Sequence, residues 1–112
     1  MALSFAARRP IESERMATFA DGLAVRVAIP EAVDNVNAVV DRFFLVSERR
    51  IARSVGTFDG AGIRVEGAAA AGLAALPELP DAEGPVVLVV TGRNIDPELH
   101  RRAVERPETF PD

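Results

Sequence analysis

The side chains best placed to do chemistry fall in three short stretches: Asp21-Gly22, Glu66-Gly67 and Thr91-Gly92-Arg93-Asn94. The Thr91 hydroxyl can donate to a ring nitrogen or bind an oxyanion. Gly92 lets a backbone approach a ligand closely, and Asn94 could tie the loop together. Each residue also has a plain structural role. A Thr-Gly pair after a strand makes a turn, Asp-Gly favours a tight reversal, and Glu66 near a helix N-terminus is favourable on dipole grounds. A fourth group, Arg49, Arg50 and Arg53, could form a phosphate patch, but it reads better as a solvated helix face. Spacing by itself therefore assigns no catalytic residue.

Composition removes several chemistries. All thirteen basic side chains among the 112 residues are arginine. Schiff-base catalysis needs an amine that can lose its proton, and a guanidinium cannot. There is no cysteine, hence no thiolate nucleophile or disulfide, and a single histidine, His100, gives no multi-histidine metal site. The eight glycines form neither GxGxxG nor a P-loop. A net charge of −4 argues against nucleic acid or an anionic membrane as the main partner. The apolar runs Gly67–Leu76 and Val86–Val90 are too short to span a bilayer, and the first twenty residues lack the apolar stretch of a signal peptide. The expectation is a soluble cytoplasmic protein.

The elements that must position these residues follow from periodicity. Residues 1–22 read as an N-terminal arm or loop, and residues 23–112 as one partial α/β domain. Leu23, Val25, Val27 and Ile29 alternate as a short extended segment would. Pro30 suits a first helical turn; Val33, Val36, Val40 and Phe43 share a face, predicting a helix over Pro30–Asp41. Phe43–Val46 is a short apolar run of strand formers. Ser47 is an N-cap for a helix over Glu48–Phe58, and Asp59-Gly60-Ala61-Gly62 breaks it. Ile63–Val65 reads as a very short strand and Ala68–Leu76 as an alanine helix. Pro77–Pro85 is a loop. Val86–Val90, five aliphatic residues without alternation, predicts a strand buried on both faces of a parallel sheet. Asp96 caps, and Pro97 opens, a helix to Glu105; His100 reads as a surface residue. The order implies an α/β fold: a partial three-layer sheet of short, mainly parallel strands with flanking helices.

Four segments occur in an order that resembles a known family. They are Phe19-Ala20-Asp21-Gly22-Leu23-Ala24-Val25; Val40-Asp41 before Leu45-Val46-Ser47-Glu48; Val65-Glu66-Gly67 through Leu76; and Val87 through Asp96. Together they are similar to the C-terminal part of threonine and serine dehydratases. These are fold-type II pyridoxal-phosphate enzymes related to the tryptophan synthase β subunit. The similarity runs from about Ser4 to His100. It implies that Thr91, at a position usually held by serine, bonds the cofactor's pyridine nitrogen. It also implies that Gly22, Glu66 and Gly92 lie beside the cofactor. Arg93 departs from the family's Gly-Gly pair. The family's Schiff-base lysine and glycine-rich phosphate loop have no counterpart here, so the chain is expected to begin inside the large domain.

The resemblance implies a portion of a pyridoxal-phosphate-dependent lyase, inactive alone, with covalent cofactor attachment excluded. It could be a truncated product, or one half of a split enzyme completed by an N-terminal chain or by a homo-oligomer. The alternative readings are a non-catalytic interaction module and a non-functional remnant.

Overall fold

The computed structural model describes residues 1–79 and 84–112. The part of the expected loop at residues 80–83 lies outside the described residues. The chain divides into two compact units: 1–17 with 24–45, and 18–23 with 46–112.

The first unit holds α1 (Ala2–Ala7) and α2 (Pro30–Val39). Helix α1 falls where the sequence shows no period. Six residues are too few to display one, and its end depends on local backbone geometry. Arg8 takes the left-handed conformation (φ 51°, ψ 32°), and the Arg8 and Arg9 N–H groups donate to the carbonyls of Phe5 and Ser4. The buried Ser4 hydroxyl accepts from the Ile11 N–H at 2.9 Å. Helix α2 starts with Pro30 at its first position, as expected, and buries Val33. An isolated antiparallel bridge joins Glu12 to Val27, supported by the Arg26–Glu12 ion pair. The alternating residues Val25, Val27 and Ile29 all face solvent, whereas Ala28 is buried. The period is present, but its apolar phase points outward.

The second unit is built on α3 (Glu48–Gly60), which packs against α4 (Gly67–Ala75) and α5 (Pro97–Glu105). Its core is Ile51, Ala52 and Val55 of α3, Ala69, Ala70 and Ala74 of α4, and Ala103 of α5, closed by Ala20, Val65 and Phe110. Most of these side chains are small, so helix axes approach closely and the apolar stripes seal against one another without a sheet. Caps set the limits. The Ser47 hydroxyl accepts from the Arg50 N–H at 3.3 Å. Asp96 Oδ1 accepts from the Glu98 and Leu99 N–H groups at 2.9 and 3.0 Å, with Pro97 at the first position. Gly62, at φ +75°, reverses the chain after α3. The Phe110 ring lies 4.7 Å from Phe19, with the Arg102 guanidinium 4.3 Å over its face.

These observations correct the expected α/β fold. Among the described residues there are helices and 3-10 turns, no strand and no sheet. Leu23–Ile29, Phe43–Val46, Ile63–Val65 and Val86–Val90 form no ladder. A strand is defined by partners that satisfy its N–H and C=O groups, and none of these segments has a neighbouring strand. Val86–Val90 is not buried on both faces either; four of its side chains are exposed. Among the described residues, no helix is long and apolar enough to cross a membrane.

Candidate functional site

Three residues nominated by the sequence, Gly22, Glu66 and Gly92, converge where α4 begins. The breaker after α3 turns the chain back through Ile63-Arg64-Val65. Buried Val65 then anchors Glu66 as the residue that opens α4. The Glu66 N–H donates to the Gly92 carbonyl at 3.1 Å, and its Oε2 accepts from the Asn94 N–H at 3.1 Å. The loop after residue 90 is thereby pinned to the helix start by both backbone and side chain.

Both glycines make this approach possible. A β-carbon at Gly92 would collide with the Glu66 carboxylate. At Gly22 it would stand 3.0 Å from Ala68 Cβ and 3.3 Å from Glu66 Oε1. Gly22 sits in the 3-10 turn Asp21–Leu23, where its N–H donates to Asp21 Oδ1 at 2.9 Å and the Leu23 N–H donates to the Ala20 carbonyl at 2.9 Å. The preceding residues are fixed by Glu48, whose Oε2 accepts from the Phe19 N–H at 2.9 Å. Gly67 packs its missing side chain against the Phe19 ring and carbonyl.

Thr91, the fourth nominated residue, is exposed and lines an open cleft of about 480 Å³ with Ile63, Arg64, Val90, Gly92 and Arg93. That volume lies within the range of small-molecule sites. Among the described residues, the Thr91 hydroxyl makes no hydrogen bond and the guanidinium groups of Arg64 and Arg93 form no ion pair; Arg64 Nη2 donates to the Ile95 carbonyl at 3.3 Å. Such a cleft suits an anionic ligand that also offers an acceptor or donor to a neutral hydroxyl. It holds no nucleophile–base pair. The carboxylate at its edge, Glu66, is already committed to Asn94.

Sequence reasoning missed Arg64, which no spacing signal distinguishes from a strand residue. It also misplaced His100. That side chain is only 13% exposed; its Nε2 is buried without a hydrogen bond and lies 3.5 Å from Asp59 Oδ1. Two of the three arginines of α3 do structural work, and the third does not. Arg49 binds the Phe110 carbonyl and Asp112, Arg50 binds the Ala74 carbonyl and Glu78, and Arg53 is exposed. Among the described residues, no group of three or more His, Asp or Glu side chains could hold a metal ion. No family model and no curated protein matches the chain.

Proposed function

We propose that this chain supplies the ring-side wall of a pyridoxal-phosphate site in a threonine/serine dehydratase-type lyase. It holds the cofactor without covalent attachment, and the lysine amine comes from outside these 112 residues. One observation carries the reading: Gly22 and Gly92, seventy positions apart, both close on Glu66, and Gly92 lines the cleft together with the unbonded hydroxyl of Thr91.

The residues present fit such a group. Thr91 offers its hydroxyl to the pyridine nitrogen, and a neutral hydroxyl leaves that nitrogen unprotonated. Gly62 and Gly92 leave their parts of the wall free of side chains, while Arg64 and Arg93 give the cleft the positive character an anionic cofactor needs. Glu66 acts as the buttress that sets the Thr91-Gly92 loop, through the Asn94 N–H. When bound and joined to a lysine amine, the cofactor supplies an electron sink at the substrate α-carbon. A ring left neutral is a weaker sink, which suits loss of water from a hydroxy-amino acid better than transamination.

The test uses pyridoxine 5′-phosphate, which has the ring and phosphate but no aldehyde and so reports non-covalent binding alone. Titration followed by ligand fluorescence should show saturable binding, weakened about tenfold by Thr91→Val, the equivalent of one hydrogen bond. Thr57→Val, on the exposed side of α3, should bind as the parent does. Equal affinity of the parent and Thr91→Val, or no binding at millimolar ligand, refutes the proposal.

A further inference from the structure

We infer that the cleft takes a small phosphate monoester, held at its phosphate by Arg64 and Arg93. The two residues come from segments on either side of α4, and among the described residues they are the charged side chains of the cleft lining. Neither guanidinium meets a carboxylate there, whereas Arg26, Arg49, Arg50 and Arg101 pair with Glu12, Asp112, Glu78 and Glu98. Two cations lining one cleft repel each other until an anion lies between them. The walls are nevertheless fixed. Arg64 Nη2 donates to the Ile95 carbonyl at 3.3 Å, which ties its segment to the one carrying Arg93. Glu66 holds that second segment through the Gly92 carbonyl and the Asn94 N–H. The N–H groups of Thr91, Gly92 and Arg93 bond no other group among the described residues. The acid that opposes an anion here is Glu66, beside Gly92. Its carboxylate is engaged by Asn94, and two guanidiniums outnumber it.

The chemistry selects the class of anion. A carboxylate offers one edge of two oxygens and a single charge, which one guanidinium fork satisfies. A phosphate monoester offers three free oxygens and nearly two charges at neutral pH, so it engages two guanidiniums at once. The rest of the ligand is bounded by the remaining lining. Ile63 and Val90 give apolar contact to a carbon skeleton, and Thr91 gives a hydroxyl to a polar atom on it. No aromatic side chain lines the cleft, so nothing stacks on a nucleobase. A volume of about 480 Å³ suits a small molecule. The inference goes beyond the ring-side reading. Pyridoxine 5′-phosphate is one such monoester, and phosphate recognition holds whether or not its ring is bound.

The probe is methyl phosphate, titrated into the full chain in phosphate-free buffer and read by the nuclear magnetic resonance shifts of the Thr91, Gly92 and Arg93 amides. The shifts should saturate at millimolar probe. Arg93→Gln should weaken binding about tenfold, the loss of a charge-assisted contact. Among the described residues its guanidinium makes no hydrogen bond within the chain, so this variant keeps the fold, and far-ultraviolet circular dichroism checks that. Arg64→Gln should weaken binding similarly. Arg53→Gln, on the exposed side of α3, removes the same charge and should bind as the parent does. Four results overturn the inference: no saturable shift at millimolar methyl phosphate; an Arg93→Gln variant that binds as the parent does; equal weakening by Arg53→Gln; or acetate bound as tightly as methyl phosphate. Pyridoxine and its 5′-phosphate separate this inference from the cofactor reading. Equal binding of the two overturns phosphate recognition and leaves the ring-side reading standing. Methyl phosphate bound as tightly as pyridoxine 5′-phosphate supports phosphate recognition and removes the ring-side reading.

Discussion

Gly92→Ala isolates the contact that holds the candidate site together. A β-carbon there would stand 2.5 Å from Glu66 Oε2 and closer still to Cδ and Oε1. Backbone strain adds nothing, because Gly92 is not in the left-handed region. The obstacle is the tip of a flexible side chain. Relief therefore comes from Glu66 swinging outward, which forfeits the bond from the Asn94 N–H. For a carboxylate partly open to solvent, that bond is worth about 1 kcal/mol. Glu66→Ala removes the same bond, again about 1 kcal/mol. In the double variant the carboxylate is already gone, so the β-carbon meets no charge and the combined cost stays near 1 kcal/mol instead of doubling. The coupling, about 1 kcal/mol, exceeds the ~0.5 kcal/mol scatter of independent sites. Urea unfolding followed by far-ultraviolet circular dichroism measures all four corners of the cycle; each single change should also lower Tm by about 4–8 °C. Additive costs, or a Gly92→Ala variant as stable as the parent, refute the assignment of Glu66 as the buttress.

The two glycines of α4 should respond oppositely to the same change. Gly67→Ala drives a β-carbon to 2.8 Å from the Phe19 ring and 3.0 Å from its carbonyl, so overpacking of about 1–3 kcal/mol outweighs the propensity gain. Gly72→Ala meets Leu88 at an ordinary 3.6 Å and should stabilise by about 0.5–1 kcal/mol; thermal unfolding of both variants checks the pair. In α5 the hydrogen bond and charge of Arg101 hold the Glu98 carboxyl below its ordinary value. Its stabilising contribution is therefore present above the normal glutamate pKa and lost as pH falls through the lowered one. The Tm difference between the parent and Glu98→Gln should close in acid; a gap that widens there refutes this sign. Finally, the 112-residue chain with added pyridoxal phosphate should convert neither threonine nor serine to an oxoacid, since it has no side-chain amine. Oxoacid formation in a dehydrogenase-coupled assay would contradict this.

Local signals were readable from the chain. Pro30, Ser47, Asp96 and Pro97 mark helix starts because caps and first-turn prolines act within a few residues. The alanine run became α4 for the same reason. What failed depended on distant neighbours. Val86–Val90 has the composition of a buried strand, but burial and ladder pairing are supplied by other segments, and among the described residues none supplies them. The alternation before Pro30 is likewise present with its apolar side in water. His100 looked like surface because nothing in its neighbourhood announces Asp59, forty-one positions earlier. Glu66, Thr91 and Gly92 stand out by their chemistry at the ends of short segments, and Gly22 as a cofactor neighbour by family resemblance alone; spacing along the chain holds no sign that Gly22, Glu66 and Gly92 meet.

The Phe19–Phe110 contact sets an order of assembly. α3 and α4 are neighbours in sequence and can pair with little loop-closure cost, whereas joining residues 19 and 110 must close about ninety positions, each doubling of a loop adding about 0.6 kcal/mol. The segment that carries Gly22 is held by that ring pair and by Glu48. The contact of Gly22 on Glu66 and Ala68 should therefore form after the α3–α4 pair. A substitution at Phe110 should loosen that contact by leaving the Gly22 turn undocked.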